Sequence, residues 1–171
     1  MLKPFKVEIS EETLRNIYSK VKNYSWHEMP DDGGWDYGTN LDYMKDFSKY
    51  WVEKFNWRKT EEEINKFKNF KTNIDGIDIH FIHEKGSGAN PKPLLLSHGW
   101  PGSIVEFLHI INQLAHPEKF GGKEEDAFDV VVPSLPGFGF SGRPSKPIGP
   151  RKMSAIFNSL MTNVLGYKKY I

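Results

Sequence analysis

Residues 94–103 read Leu-Leu-Leu-Ser-His-Gly-Trp-Pro-Gly-Ser. A short apolar run, Leu94 to Leu96, ends abruptly in His98, Gly99, Trp100, Pro101 and Gly102, and a helical pattern opens directly after it. A strand that stops, turns tightly on glycine and proline and feeds a helix leaves backbone N–H groups without intrahelical partners at its mouth. Main chain alone can make an anion or oxyanion site in this way. The same spacing also fits a strand-to-helix turn with no function. Pro101 after an aromatic residue fits a cis peptide. The functional reading aims the Trp100 N–H into a cleft outside the carboxyl ends of a parallel sheet.

Downstream of the turn, Ser103 and Glu106 form a capping box for a helix whose apolar residues are Ile104, Phe107, Leu108, Ile111 and Leu114. Pro117 stops it, and Phe128 to Val132 reads as a second, β-branched strand. Strand, helix, strand is a βαβ unit, which implies parallel pairing and a right-handed crossover. Leu94 to Leu96 is expected to be covered on both faces. A loop dense in glycine and proline, 134–150, leads to a helix carrying Met153, Ile156, Phe157, Leu160, Met161 and Val164, with Gly166 as its C-terminal cap. Residues 167–171 read as the run-in to a third parallel strand.

Upstream, Phe70, Thr72 and Ile74 alternate with polar residues, Asp75-Gly76 makes a two-residue hairpin turn, and Ile77, Ile79 and Phe81 alternate on the return. His80 and His83 are three apart on this strand and point to opposite faces, which argues against a shared metal. Before the hairpin come three short amphipathic helices: one capped by Ser10, one with a Thr39/Asp42 capping box and one with a Thr60/Glu63 box. The loop 23–39 carries Tyr24, Trp26, Trp35 and Tyr37 and is expected to press against another surface. About seventy residues of this kind rarely build a core alone. The division is therefore residues 1–70 as a helical arm and residues 71–171 as the start of an α/β domain.

Composition excludes several classes. With 23 basic and 22 acidic residues, nothing favours nucleic acid or an acidic membrane surface. The absence of cysteine removes disulfides and thiolate metal sites. No run approaches the ~18 apolar residues of a membrane span, and the first ten residues have no apolar signal core. These features predict a soluble cytoplasmic protein without a membrane anchor. Gly137, Gly139 and Gly142 have dinucleotide-fingerprint spacing, but Pro144, Pro147 and Pro150 delay the helix, and no acid follows Asp129 to hold a ribose. A G-x-S-x-G elbow fails because Arg143 stands where glycine is needed. The acid pairs Asp31-Asp32 and Glu124-Glu125 read as solvated loop residues. No nucleophile with a base and an orienting acid can be assembled from these residues.

The segments His98–Ser103 and Asp126–Gly142 together resemble the epoxide hydrolases of the microsomal and juvenile-hormone type, within the α/β-hydrolase superfamily. Residues 35–70 resemble the N-terminal domain of those enzymes, 74–83 the hairpin that follows it, and 160–171 the segment before their nucleophile. The resemblance implies the first half of an α/β-hydrolase sheet and a cofactor-free covalent mechanism acting on a small-molecule epoxide. An Asp opens the epoxide to an ester, and a His oriented by an acid activates water to release a vicinal diol. Cap tyrosines donate to the epoxide oxygen. One oxyanion-hole donor is implied to be the Trp100 backbone N–H, with His98, Gly99, Pro101 and Gly102 building its turn. The nucleophile, the His, its acid and the cap tyrosines have no counterpart up to Ile171. The 171 residues alone are thus expected to be inactive, either as a non-catalytic remnant or as a split half needing a partner chain. The expected strand edge at 94–97 would be unpaired and would favour self-association.

Overall fold

The computed structural model describes residues 1–30 and 33–171, so the pair Asp31-Asp32 lies outside the described residues. It contains two compact units, residues 8–61 and residues 1–7 with 62–171.

In the first unit, α1 (Glu11–Lys22) begins at Ser10, whose hydroxyl accepts from the Thr13 N–H at 3.1 Å. Helix α2 (Leu41–Glu53) is capped by Asn40, whose side-chain oxygen accepts from the Tyr43 N–H at 3.0 Å; Thr39 does not cap it. Helix α3 (Trp57–Asn65) likewise starts earlier than the Thr60 box would place it, with the Asn56 oxygen accepting from the Arg58 N–H at 2.9 Å. In both cases a nearby asparagine, the stronger N-cap, takes the role from threonine. Arg58 joins the Glu11 and Glu61 carboxylates, and the buried Glu61 also accepts from the Ile9 N–H. The aromatic loop is not covered within this unit. Tyr24, Trp35 and Tyr37 are exposed, and Tyr24, Trp26, Tyr37, Phe47 and Trp51 help line an open cavity of about 520 Å³.

The second unit is built on a five-stranded sheet: β1 (Lys3–Pro4), β2 (Asn69–Ile74), β3 (Ile77–Glu84), β4 (Lys92–Leu95) and β5 (Phe128–Pro133), in the order β1-β2-β3-β5-β4. The extended N-terminal arm is a sheet strand, antiparallel to Phe70 and Lys71. Asp75 and Gly76, at φ 52° and 81°, form the expected hairpin turn. Strand β3 runs antiparallel to β5, and β5 runs parallel to β4, as the βαβ reading requires.

The two faces are distinct. Ile77, Ile79, Phe81 and Val131 pack with Ile156, Phe157, Leu160 and Met161. These last belong to α5 (Pro150–Ser159) and the π-helical turn Leu160–Val164 that extends it. Val130 and Val132 alternate to the other face, where α4 (Leu108–Ala115) packs on β5 with Ile111 and Ala115 buried. Gly166, at φ 77°, ends the π turn. Strand β4 is the outermost strand, so Leu94 to Leu96 are half-buried and not fully covered. Beyond it, Ile171 donates to the Pro93 carbonyl at 2.9 Å and accepts from the Leu95 N–H at 2.8 Å, the pattern of a first parallel bridge. Tyr167 anchors this segment, donating to the Asp129 carboxylate at 2.7 Å, while Lys85 also pairs with Asp129. No helix among the described residues is long and apolar enough to cross a membrane.

His80 is fully buried within this sheet. Asn69 donates its amide to the Ile64 and Phe67 carbonyls, so its oxygen accepts from His80 Nε2 at 3.0 Å, and Ser134 donates to Nδ1 at 2.9 Å. Burial, reinforced by Lys71, pushes the His80 imidazole down to about 3. The unfolded chain therefore takes up the proton first, and stability is fully present above the ordinary histidine value and falls as the pH drops toward 3. We expect the second unit to lose about 2 kcal/mol between pH 7 and pH 5 through His80. Urea denaturation at the two values, repeated with His80→Gln, reads this share as the part of the loss that the variant no longer shows.

Candidate active site

The parallel ladder between β4 and β5 ends where the Leu96 N–H donates to the Val131 carbonyl at 2.9 Å. The chain then leaves the sheet at Ser97 and turns. The Trp100–Pro101 peptide is cis, and the Gly102 N–H closes the turn on the Gly99 carbonyl at 2.8 Å. With proline third of the four residues, this is a type VI turn. Ser103 follows as an N-cap, and its box with Glu106 is complete: Ser103 Oγ accepts from the Val105 N–H at 3.3 Å, and Glu106 Oε1 accepts from the Ser103 N–H at 3.0 Å. The helix opens as a 3-10 turn, Ile104–Phe107, before α4.

Gly102 is required by that box. A Cβ on residue 102 would fall on the Glu106 carboxylate and lie 3.1 Å from the Gly99 carbonyl oxygen. Trp100 is 82% exposed, so its side chain contributes little to holding the turn. Its backbone N–H has no hydrogen-bond partner among the described residues.

His98 is the buried member of the motif, 4% exposed. Its Nε2 lies 3.0 Å from the Leu135 nitrogen. A backbone N–H can only donate, so Nε2 accepts and the ring proton sits on Nδ1, which donates to the Gly99 carbonyl at 3.1 Å. The ring also meets Phe138 edge-on, centroids 5.9 Å apart. Sequence reading placed His98 in the turn and missed its partner, because Leu135 is 37 positions away.

The loop from Ser134 to Gly142 is tied to β3. Gly142 donates to the Asp78 carbonyl at 2.7 Å, Ser134 donates to the His80 carbonyl at 2.9 Å, and Ser141 Oγ bridges the His80 N–H and the Ser134 carbonyl. Gly139 takes φ 50° and comes so close to Ser134 that a Cβ would sit 2.8 Å from its hydroxyl. The glycines therefore serve close backbone approach. Among the described residues no group of three His, Asp or Glu side chains could hold a metal ion. His83 donates to the Tyr167 hydroxyl at 2.9 Å, away from His80.

A family model described as the epoxide hydrolase N terminus matches residues 2–107. The chain belongs to that family. A second model, the alpha/beta hydrolase fold, matches residues 92–170. Among curated relatives, epoxide hydrolase 1 of Sus scrofa is 41% identical over 175 residues, covering 99% of this chain and 38% of the relative. Juvenile hormone epoxide hydrolase 1 of Ctenocephalides felis is 37% identical over 174 residues, covering 99% of this chain and 36% of the relative. The crystal structure of juvenile hormone epoxide hydrolase from Bombyx mori superposes with a TM-score of 0.85 at 31% identity, covering 99% of this chain and 45% of that one. The Aspergillus niger epoxide hydrolase superposes with a TM-score of 0.85 at 29% identity over the same shares. The chain thus spans between 36% and 45% of the length of these epoxide hydrolases.

The Gly102–Glu106 contact predicts a coupling. Glu106→Ala should destabilise the second unit by about 1 kcal/mol through loss of the box. Gly102→Ala should cost at least as much, because it displaces the same carboxylate. Combined, the two changes should cost clearly less than their sum, which a double-mutant cycle on urea midpoints checks.

Proposed function

We propose that this chain is the N-terminal portion of an epoxide hydrolase and supplies one donor of its oxyanion hole, the Trp100 N–H. The observation that carries the reading is that N–H itself, without a partner among the described residues, in a turn closed on Gly99 at the carboxyl end of a parallel strand, in a chain of this family. In the reaction, a carboxylate outside these residues attacks an epoxide carbon, the C–O bond breaks as the epoxide oxygen takes a proton from a donor also outside these residues, and a hydroxy ester forms. Water, deprotonated by a base, then adds to the ester carbonyl. Its oxygen takes the negative charge, and a donor already in place stabilises that charge without reorganisation. Residues 71–171 are read as the start of the α/β-hydrolase domain and residues 1–70 as the N-terminal region of the family, of which residues 1–7 and 62–70 join the sheet unit and residues 8–61 form a compact unit of their own. The substrate is a small-molecule epoxide.

The half-buried Leu94 to Leu96 lie on the outermost strand, where Ile171 makes only one bridge. An apolar strand with free backbone groups pairs readily with another chain. The isolated 171-residue chain is therefore read as self-associating through this edge. Sedimentation should show oligomers; a chain that stays monomeric at every concentration tested would contradict this.

The catalytic reading is tested by diol formation from an aryl epoxide. The 171-residue chain should give no diol above buffer. A chimera joining it to the rest of the Sus scrofa relative, beyond the matched region, should turn over. Turnover by the chain alone, or a folded chimera without activity, would overturn the proposal.

A further inference from the structure

We propose that His98 is a positioning residue that aims the Trp100 N–H by clamping the opposite side of the same peptide group. The Gly99 carbonyl and the Trp100 N–H belong to one peptide plane. That peptide is trans, so the two groups point in opposite directions. Whatever fixes the carbonyl fixes the direction of the N–H.

Two donors hold that carbonyl. Gly102 N–H reaches it from within the turn at 2.8 Å, and His98 Nδ1 reaches it at 3.1 Å. The first bond is internal to the turn and moves with it. The second refers the peptide to the rest of the unit, because the His98 ring is buried, packed on Phe138 and hydrogen-bonded to Leu135. The Leu135 N–H has a second effect. By occupying Nε2 as a donor it obliges the ring proton onto Nδ1, the only tautomer able to clamp Gly99. Leu135 in turn begins the loop tied to β3 through Ser134, Ser141 and Gly142. The direction of the Trp100 N–H is thereby set from β3, through a loop and an imidazole. Two donors on one carbonyl also polarise the peptide, which strengthens its N–H as a donor. The catalytic consequence rests on the reading of Trp100 as an oxyanion donor; the clamp does not.

The two ring nitrogens can be separated by substitution. His98→Asn places an amide N–H near the Nδ1 position and has no acceptor near Leu135. His98→Gln places an acceptor near the Nε2 position and has no donor near Gly99. Only two Gly-Trp steps occur in the sequence, Gly34-Trp35 and Gly99-Trp100. Glycine labelled with 13C at the carbonyl and tryptophan labelled with 15N therefore give two NMR correlations, the first an internal control. His98→Gln and His98→Ala should move the Gly99 carbonyl upfield, the signature of a lost hydrogen bond. His98→Asn should hold it near the wild-type position, and Gly34 should stay still throughout. In the chimera, His98→Gln should lower kcat about tenfold to a hundredfold with KM unchanged, and His98→Asn should stay within about threefold of wild type. A Gly99 carbonyl indifferent to His98→Gln, or displaced equally by Asn and Gln in folded protein, overturns the clamp whatever the chimera does. A carbonyl that responds as expected, in a chimera that forms no diol, keeps the clamp and removes the catalytic reading.

Discussion

The hydrogen bond from the Leu96 N–H to the Val131 carbonyl is the last rung of the β4–β5 ladder, and the site follows from what the chain must do beyond it. Past that rung, backbone groups leave a buried sheet and still need partners. A longer strand would meet the need with more ladder. This chain meets it with a turn closed on Gly99, a capping box at Ser103 and an imidazole that takes up the Leu135 N–H as that strand ends as well. Two parallel strands ending together are joined by His98, and the Trp100 N–H is among the groups left over within the described residues.

The same constraint explains why the loop after β5 is rich in glycine. Its backbone runs against β3 closely enough that Gly142 bonds directly to Asp78, and Gly139 adopts a left-handed conformation against the Ser134 hydroxyl. The loop could be mistaken for a nucleotide fingerprint because both uses of glycine serve close backbone approach. They differ in what approaches: here it is the protein's own third strand. His80 then becomes part of the support for this loop. It is held neutral between Asn69 and Ser134 and packs on Phe5 and Phe140.

Features carried by local residues were legible in the sequence. The hairpin at Asp75-Gly76, the capping box at Ser103 and Glu106, the β-branched strand at Phe128 and the cis Pro101 all depend on neighbours a few positions away. Features that depend on distant partners were not. Nothing near Lys3 and Pro4 signals that they pair with Phe70 and Lys71, and nothing near His98 points to Leu135. The N-caps of α2 and α3 were misplaced because threonine-acid spacing looks like a capping box, while an adjacent asparagine competes better for the same N–H. The aromatic residues of the 23–39 loop suggested a buried surface, yet within residues 8–61 they line an open cavity. The order of motifs carried the family further than any one of them carried the chemistry.

The central physical claim is that the strand ends, the turn and the loop form one hydrogen-bonded body. Amide hydrogen exchange tests it most directly, because cooperative units open together. The account predicts that the Leu96, Gly102 and Leu135 amides of the 171-residue chain share one opening free energy. Protection at Leu96 alone, with Gly102 and Leu135 exchanging as in an unstructured chain, would contradict it.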